Sequence, residues 1–115
     1  MHEANFTQQI VRSIISELNK YPDYRPKRVK VKVGEMLHPD NEDVKMVYDL
    51  LTQGTKLEGV DLDLEETKTI VTCKKCHHTG VLVNHHLLVC PLCGSSDVKM
   101  VSGDEIAIES IDLEN

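Results

Sequence analysis

The chain has 115 residues, a formal net charge of −6 and an aromatic content of only 3%. That length predicts one domain, or a small domain carrying a smaller module, with a core that must be aliphatic. An acidic, aromatic-poor chain lacks both the basic patch and the stacking rings that nucleic-acid binding uses, so nucleic acid is not an expected partner. No apolar run approaches the roughly 18 residues that a membrane span needs. The first twenty residues hold no apolar core of a signal peptide, so the expected location is cytoplasmic, where thiols stay reduced.

In chain order, Ala4 to Lys20 predicts an amphipathic helix, because Phe6, Ile10, Val11, Ile14, Ile15 and Leu18 recur mainly at spacings of three and four. Tyr21-Pro22 and Pro26 then break it. Arg28 to Val33 alternates, with Val29, Val31 and Val33 on one face and Arg28, Lys30 and Lys32 on the other, which predicts a half-buried strand. Gly34 ends that strand. A second helix starts after Pro39-Asp40, with Asp40 or Asn41 as cap, Glu42 and Asp43 in the first turn, and Val44, Val47, Tyr48 and Leu51 as its apolar stripe. Gly54 is its natural stop.

Val60, Leu62 and Leu64 alternate with Asp61, Asp63 and Glu65 in a second strand, whose acidic outer face complements the basic face of the first and favours side-by-side pairing. Glu105 to Leu113 predicts a third strand. Its apolar phase changes between Ile106/Ile108 and Ile111/Leu113, which demands a bulge if all four are to share a face. Between them, Thr69 to Ser102 offers only short β-prone pieces (Ile70–Thr72, Val81–Val83, Leu87–Val89) and too little apolar content for a core. The expected fold is therefore α/β (α+β): a small three-stranded sheet packed with two helices, formed by residues 1–68 and 104–115, plus an inserted zinc-ribbon-like β module over 69–103.

Cys73-Lys74-Lys75-Cys76 and Cys90-Pro91-Leu92-Cys93 are separated by thirteen residues. Each CxxC turn aims two sulfurs at one point, and two turns supply the tetrahedral thiolate shell that zinc prefers. Gly94 suits the tight knuckle after the second pair. Metal binding contributes on the order of 10 kcal/mol to the folding of small zinc modules, which suits a segment so poor in apolar residues. A redox CxxC would open a helix in a βαβ setting, and a catalytic zinc needs an open position, so Cys73, Cys76, Cys90 and Cys93 are expected to hold a structural ion. His77, His78, His85 and His86 are either solvated loop residues or replacements for a cysteine ligand.

The chain opens Met1-His2-Glu3. The terminal amine, the deprotonated amide of His2 and its ring nitrogen can close two fused chelate rings around one ion. Planar nitrogen donation of that kind favours Ni(II) or Cu(II) over zinc. A further donor could come from Glu3 or from a segment brought close by the fold, with Asp40 as the candidate. A helix-dipole role would also explain Glu3.

These segments together resemble the HypA/HybF family of hydrogenase nickel-incorporation proteins. The resemblance rests on Met1-His2-Glu3; on Val31-Lys32-Val33-Gly34-Glu35; on Gly54-Thr55-Lys56-Leu57-Glu58-Gly59; on the two CxxC knuckles; and on Ser102-Gly103-Asp104-Glu105 leading into Ile108-Glu109-Ser110-Ile111. It spans nearly the whole chain. Two departures stand out: Ala4-Asn5 is more polar than the family's usual continuation, and His77-His78-Thr79 precedes Gly80 where the family often has an earlier glycine.

The resemblance implies a nickel metallochaperone, not an enzyme, with a nickel site at His2 and Glu3. It implies delivery to the [NiFe]-hydrogenase large-subunit precursor together with a GTPase, HypB, and in some organisms a contribution to urease. Any GTP hydrolysis would be the partner's, since this chain has no GxxxxGK[ST] loop. The alternative is a zinc-ribbon protein-interaction module without metal transport, docking through Lys74, Lys75, Pro91 and Leu92.

Overall fold

The computed structural model describes the backbone from Glu3 to Asn115 and side chains from Asn5 onward. Helix α1 (Glu3–Leu18) buries Phe6, Ile10, Val11, Ile14 and Leu18, the predicted stripe. Strand β1 (Arg25–Gly34) follows, three residues earlier than its alternation suggests. Pro26 is accommodated because the pairing with the last strand shifts between Pro26 and Arg28, and a ladder irregularity tolerates a missing amide donor. A short 3-10 turn (Glu35–Leu37) leads to helix α2 (Asn41–Leu51), capped by Asp40, whose side chain accepts from the amide of Asp43 at 3.2 Å. Strand β2 (Asp61–Thr67) then lies parallel to β1, which makes β1–α2–β2 a βαβ unit.

The last strand, β6 (Ile106–Glu114), pairs antiparallel on the other side of β1, giving the order β2-β1-β6. Its register slips where Lys30 faces Ser110 but Val31 faces Ile108, leaving Glu109 as the extra residue. The bulge lets Ile106, Ile108, Ile111 and Leu113 all pack on the core despite the change of phase. That core is mainly aliphatic: Val29, Val31 and Val33 of β1 are fully buried, with Ile14, Val44 and Leu57 about them and the rings of Phe6 and Tyr48 added. The outer face carries the expected charge pairing between β1 and β2, Lys30 with Glu65 at 3.8 Å, and β6 adds Glu109 at 3.4 Å from Lys30.

The intervening segment forms a second three-stranded sheet, β4-β3-β5, all antiparallel: β3 (Ile70–Cys73), β4 (Thr79–Val81) and β5 (Val98–Ser102). Three details differ from the sequence reading, the first being that the piece expected over Val81–Val83 is a strand over Thr79–Val81. Leu87–Val89 is not a strand, because Asn84 opens a turn there, its backbone carbonyl accepting from Leu87 and its side chain from the amide of His86. Val98–Ser102 is a strand whose exposed-and-half-buried alternation is too weak to stand out in the sequence.

The two sheets meet at a tight seam. Gly34 donates to the carbonyl of Glu105 and Met36 to that of Gly103, at 2.8 and 2.9 Å. Thr69, fully buried, donates its amide to Oε1 of Glu35 at 3.0 Å. Oε1 of Glu105 accepts from the Thr67 hydroxyl and Oε2 from the Gly103 amide. Gly34 has no room for a side chain, since a Cβ there would run into the backbone of Gly103.

Candidate metal centre

Cys73 ends β3, and the chain turns at once so that Cys76 faces back toward it. The turn is held by amides: those of Lys75 and Cys76 donate to the Cys73 sulfur at 3.4 Å, and that of His77 to the Cys73 carbonyl at 3.1 Å. The second knuckle repeats the pattern, with Leu92 and Cys93 donating to the Cys90 sulfur at 3.4 Å and Gly94 to the Cys90 carbonyl at 3.0 Å. Each knuckle needs a left-handed residue at its fifth position. Gly94 supplies one at φ 77° and His77 the other at φ 62°. His77 thus takes the conformational role that glycine takes in the second knuckle, a role histidine fills more readily than most side chains.

The knuckles bring the four sulfurs together within 4.8 Å of one another, and that group contains no histidine. Cys73 and Cys93 sulfurs are 3.7 Å apart, Cys76 and Cys90 sulfurs 3.6 Å. Four thiolates at the usual zinc–sulfur length of about 2.3 Å in a tetrahedron stand about 3.8 Å apart, so the residues fit that ion closely. All four cysteines are free thiols, Cys73 and Cys90 buried, Cys76 and Cys93 exposed.

Hydrogen bonding divides them electrostatically. The amide of Cys93, followed by that of Leu92, stabilises the Cys90 thiolate against burial and lowers its pKa to about 6. Cys73 is lowered in the same way, foremost by the amide of Cys76. At Cys76 the amide of His78 lowers the pKa, but burial and the neighbouring sulfurs outweigh it and push the thiol up to about 12. The set thus holds sulfurs shifted in opposite directions, and binding a dication displaces the protons that remain.

The other predicted ligands are not brought into this centre. Asp40 sits at the exposed start of α2, with one carboxylate oxygen engaged as its cap. Glu3 begins α1, while Met1, His2 and the Glu3 side chain lie outside the described residues. His85 and His86 gather instead with His38, a residue 47 positions earlier that no local motif connects to them.

A βαβ-containing α+β sheet joined to a four-thiolate β ribbon defines a small metal-handling protein with a closed, non-catalytic metal shell. A family model described as "Hydrogenase/urease nickel incorporation, metallochaperone, hypA" matches residues 1–113. The chain belongs to this HypA metallochaperone family, as its motifs led one to expect, and the family's role is metal handling, not catalysis. It is 32% identical to the hydrogenase maturation factor HypA of Caldanaerobacter subterraneus, covering 99% of this chain and 100% of that one. The HypA of Dehalococcoides mccartyi strain 195 is 29% identical, with 100% and 96% covered. The fold is that of the solution structure of the Ni metallochaperone HypA from Helicobacter pylori, with a TM-score of 0.72 at 22% identity over 98% of this chain and 97% of that one. Among the described residues no helix is long and apolar enough to cross a membrane.

Proposed function

We propose that this chain is a cytoplasmic nickel chaperone that binds Ni(II) at Met1, His2 and Glu3 and delivers it for maturation of [NiFe]-hydrogenase, with urease as a further client. Cys73, Cys76, Cys90 and Cys93 hold a structural zinc ion that keeps residues 69–103 folded as an inserted domain on the nickel domain of residues 1–68 and 104–115. The observation that carries this reading is the family match across residues 1–113, which includes the Met1-His2-Glu3 opening.

A site at a chain end suits transfer. Its donors can be displaced one at a time by incoming ligands, so the ion passes by exchange without crossing a barrier of bare solvation. Asp40 stands as the candidate extra donor: capping α2 engages one of its carboxylate oxygens and leaves the other available. The receiving side comprises the GTPase HypB and the hydrogenase large-subunit precursor.

The test is calorimetric titration of zinc-loaded, untagged protein with Ni(II), beside His2→Gln, a substitution bulky enough to keep Met1 in place. Loss of one nickel site in the variant supports the reading. Equal nickel binding by the two proteins sinks it and leaves a zinc-ribbon interaction module as the better account.

A further inference from the structure

The imidazoles of His38, His85 and His86 form a cluster at the place where the two sheets meet. Ring centres of His85 and His86 are 4.1 Å apart, of His38 and His85 5.4 Å, and of His38 and His86 6.0 Å. An imidazole bound through one nitrogen at about 2.0–2.1 Å has its centre about 3 Å from the ion. Rings sharing an ion therefore have centres about 4.5–5 Å apart; His85 and His86 stand slightly closer than that and His38 up to about 1 Å farther, so the rings must shift to share an ion.

Three further features bear on the cluster. His38 holds φ 50°, ψ 56° directly before Pro39, a left-handed conformation where a residue preceding proline is normally extended. The conformation closes the 3-10 turn, with the His38 amide donating to the Glu35 carbonyl at 3.1 Å, and fixes where the ring is presented. His85 and His86 project from the turn that Asn84 organises through its side-chain bond to the His86 amide at 2.9 Å. Finally, the buried Glu35 carboxylate, which accepts from the Thr69 amide, lies close enough to His85 for the two charges to interact.

We propose that His38, His85 and His86 constitute a second transition-metal site, taking a divalent first-row ion of the nickel–zinc class through imidazole nitrogens. The ion clamps the Asn84 turn onto the β1–α2 connection and so couples the two sheets to metal loading. As placed, the rings do not all turn a nitrogen toward one point. Rotation about the side-chain bonds, which the exposure of His38 and His86 allows, completes the site. Softness and ligand type select this class of ion: imidazole suits nickel, zinc and copper and is a poor donor to magnesium or calcium. The proposal is independent of the amino terminus.

Its test uses the zinc-loaded, untagged His2→Gln chain, in which the terminal site is disabled. Ni(II) is titrated by calorimetry and by NMR of the histidine ring protons. The expected result is one Ni(II) per chain, with the rings of His38, His85 and His86 perturbed at lower nickel than those of His77 and His78. Affinity should fall at least about tenfold, the effect of losing a ligand worth 1.4 kcal/mol, in His38→Asn and in the double variant His85→Gln/His86→Gln. Asparagine tolerates the left-handed backbone, so the first variant keeps its fold. Zinc content is checked in both. No residual nickel site, or one that survives these substitutions, or equal perturbation of all five rings, overturns the proposal.

Discussion

The amide of Thr69 donates to Oε1 of Glu35 at 3.0 Å, joining residues 34 apart in sequence at the point where the chain leaves one sheet for the other. Both residues are buried, so the bond is shielded from water. Glu35→Ala should therefore cost about 1–3 kcal/mol, the penalty of an orphaned buried amide. Glu35→Gln, which keeps a carbonyl acceptor, should cost less. Chemical denaturation of the two variants separates them.

The same seam sets an acid limit. For Glu35 burial alone would raise the pKa, but the Thr69 amide hydrogen bond, with Lys68 and His85 adding positive charge, outweighs it and holds it below the ordinary value. Glu105 is lowered foremost by the Gly103 amide. A carboxylate whose folded pKa lies below its unfolded value of about 4.3 adds stability that is complete above that pH and is lost as pH falls through the folded pKa. Stability of the wild type should thus decline below about pH 4.3, and the decline should be shallower in Glu35→Gln/Glu105→Gln. An acid limb of unchanged slope in the double variant would show that these groups contribute nothing.

Gly34 packs against backbone, and a methyl group there has nowhere to go. Gly34→Ala should destabilise by about 1–3 kcal/mol or more, as overpacking against unyielding atoms does. Gly54→Ala meets open space but a φ of 77°, and should cost only about 1 kcal/mol of left-handed strain. Thermal melts in parallel give the ordering.

Much of this architecture was legible in the sequence because it follows from periodicity. Val29, Val31 and Val33 alternate cleanly, and the reversal of phase between Ile108 and Ile111 itself calls for the bulge found at Glu109. The sulfur cluster was legible from spacing alone, since a CxxC turn has few ways to place its sulfurs. What escaped was non-local or weakly patterned. Val98–Ser102 pairs as a strand with little burial to reveal it, and His38 joins His85 and His86 only through the fold. Glu35 reads as a polar residue after a strand, and its role as acceptor to Thr69 depends on the chain's path, which no local pattern encodes.

The bulge itself can be tested by removing it. Deleting Ser110 restores a strict two-residue period in which Ile106, Ile108, Ile111 and Leu113 share the core face without a bulge. Apolar burial is then kept, and stability should stay within about 1 kcal/mol of the wild type. A loss of about 2–4 kcal/mol, the burial of two such side chains, would mean that the bulge itself is needed to seat the end of β6.

Removing the metal from the thiolate shell should unfold the second sheet first. Little else is buried there besides Val71, Leu82, Cys73 and Cys90, so β3, β4 and β5 depend on the sulfurs being tied together. Amide exchange after chelation should show lost protection in residues 70–102 and retained protection in α1 and β1. Uniform retention would show that the ribbon folds without its ion.

Nickel binding at a terminal amine and an imidazole should weaken between roughly pH 7.5 and 6, because protons compete for donors with reference pKa values of about 7.7 and 6.5. Titrations across that range check it, and an affinity that does not change would argue for other ligands.

The most direct test of the central claim is to move the amine and nothing else. Zinc-loaded protein beginning at a free Met1 is titrated with Ni(II) beside the same protein carrying four extra residues ahead of Met1. Terminal ligation predicts that the extended chain loses one nickel site while its zinc content and fold are unchanged. Identical titrations for the two proteins would contradict it, and the nickel site would then have to lie elsewhere in the chain.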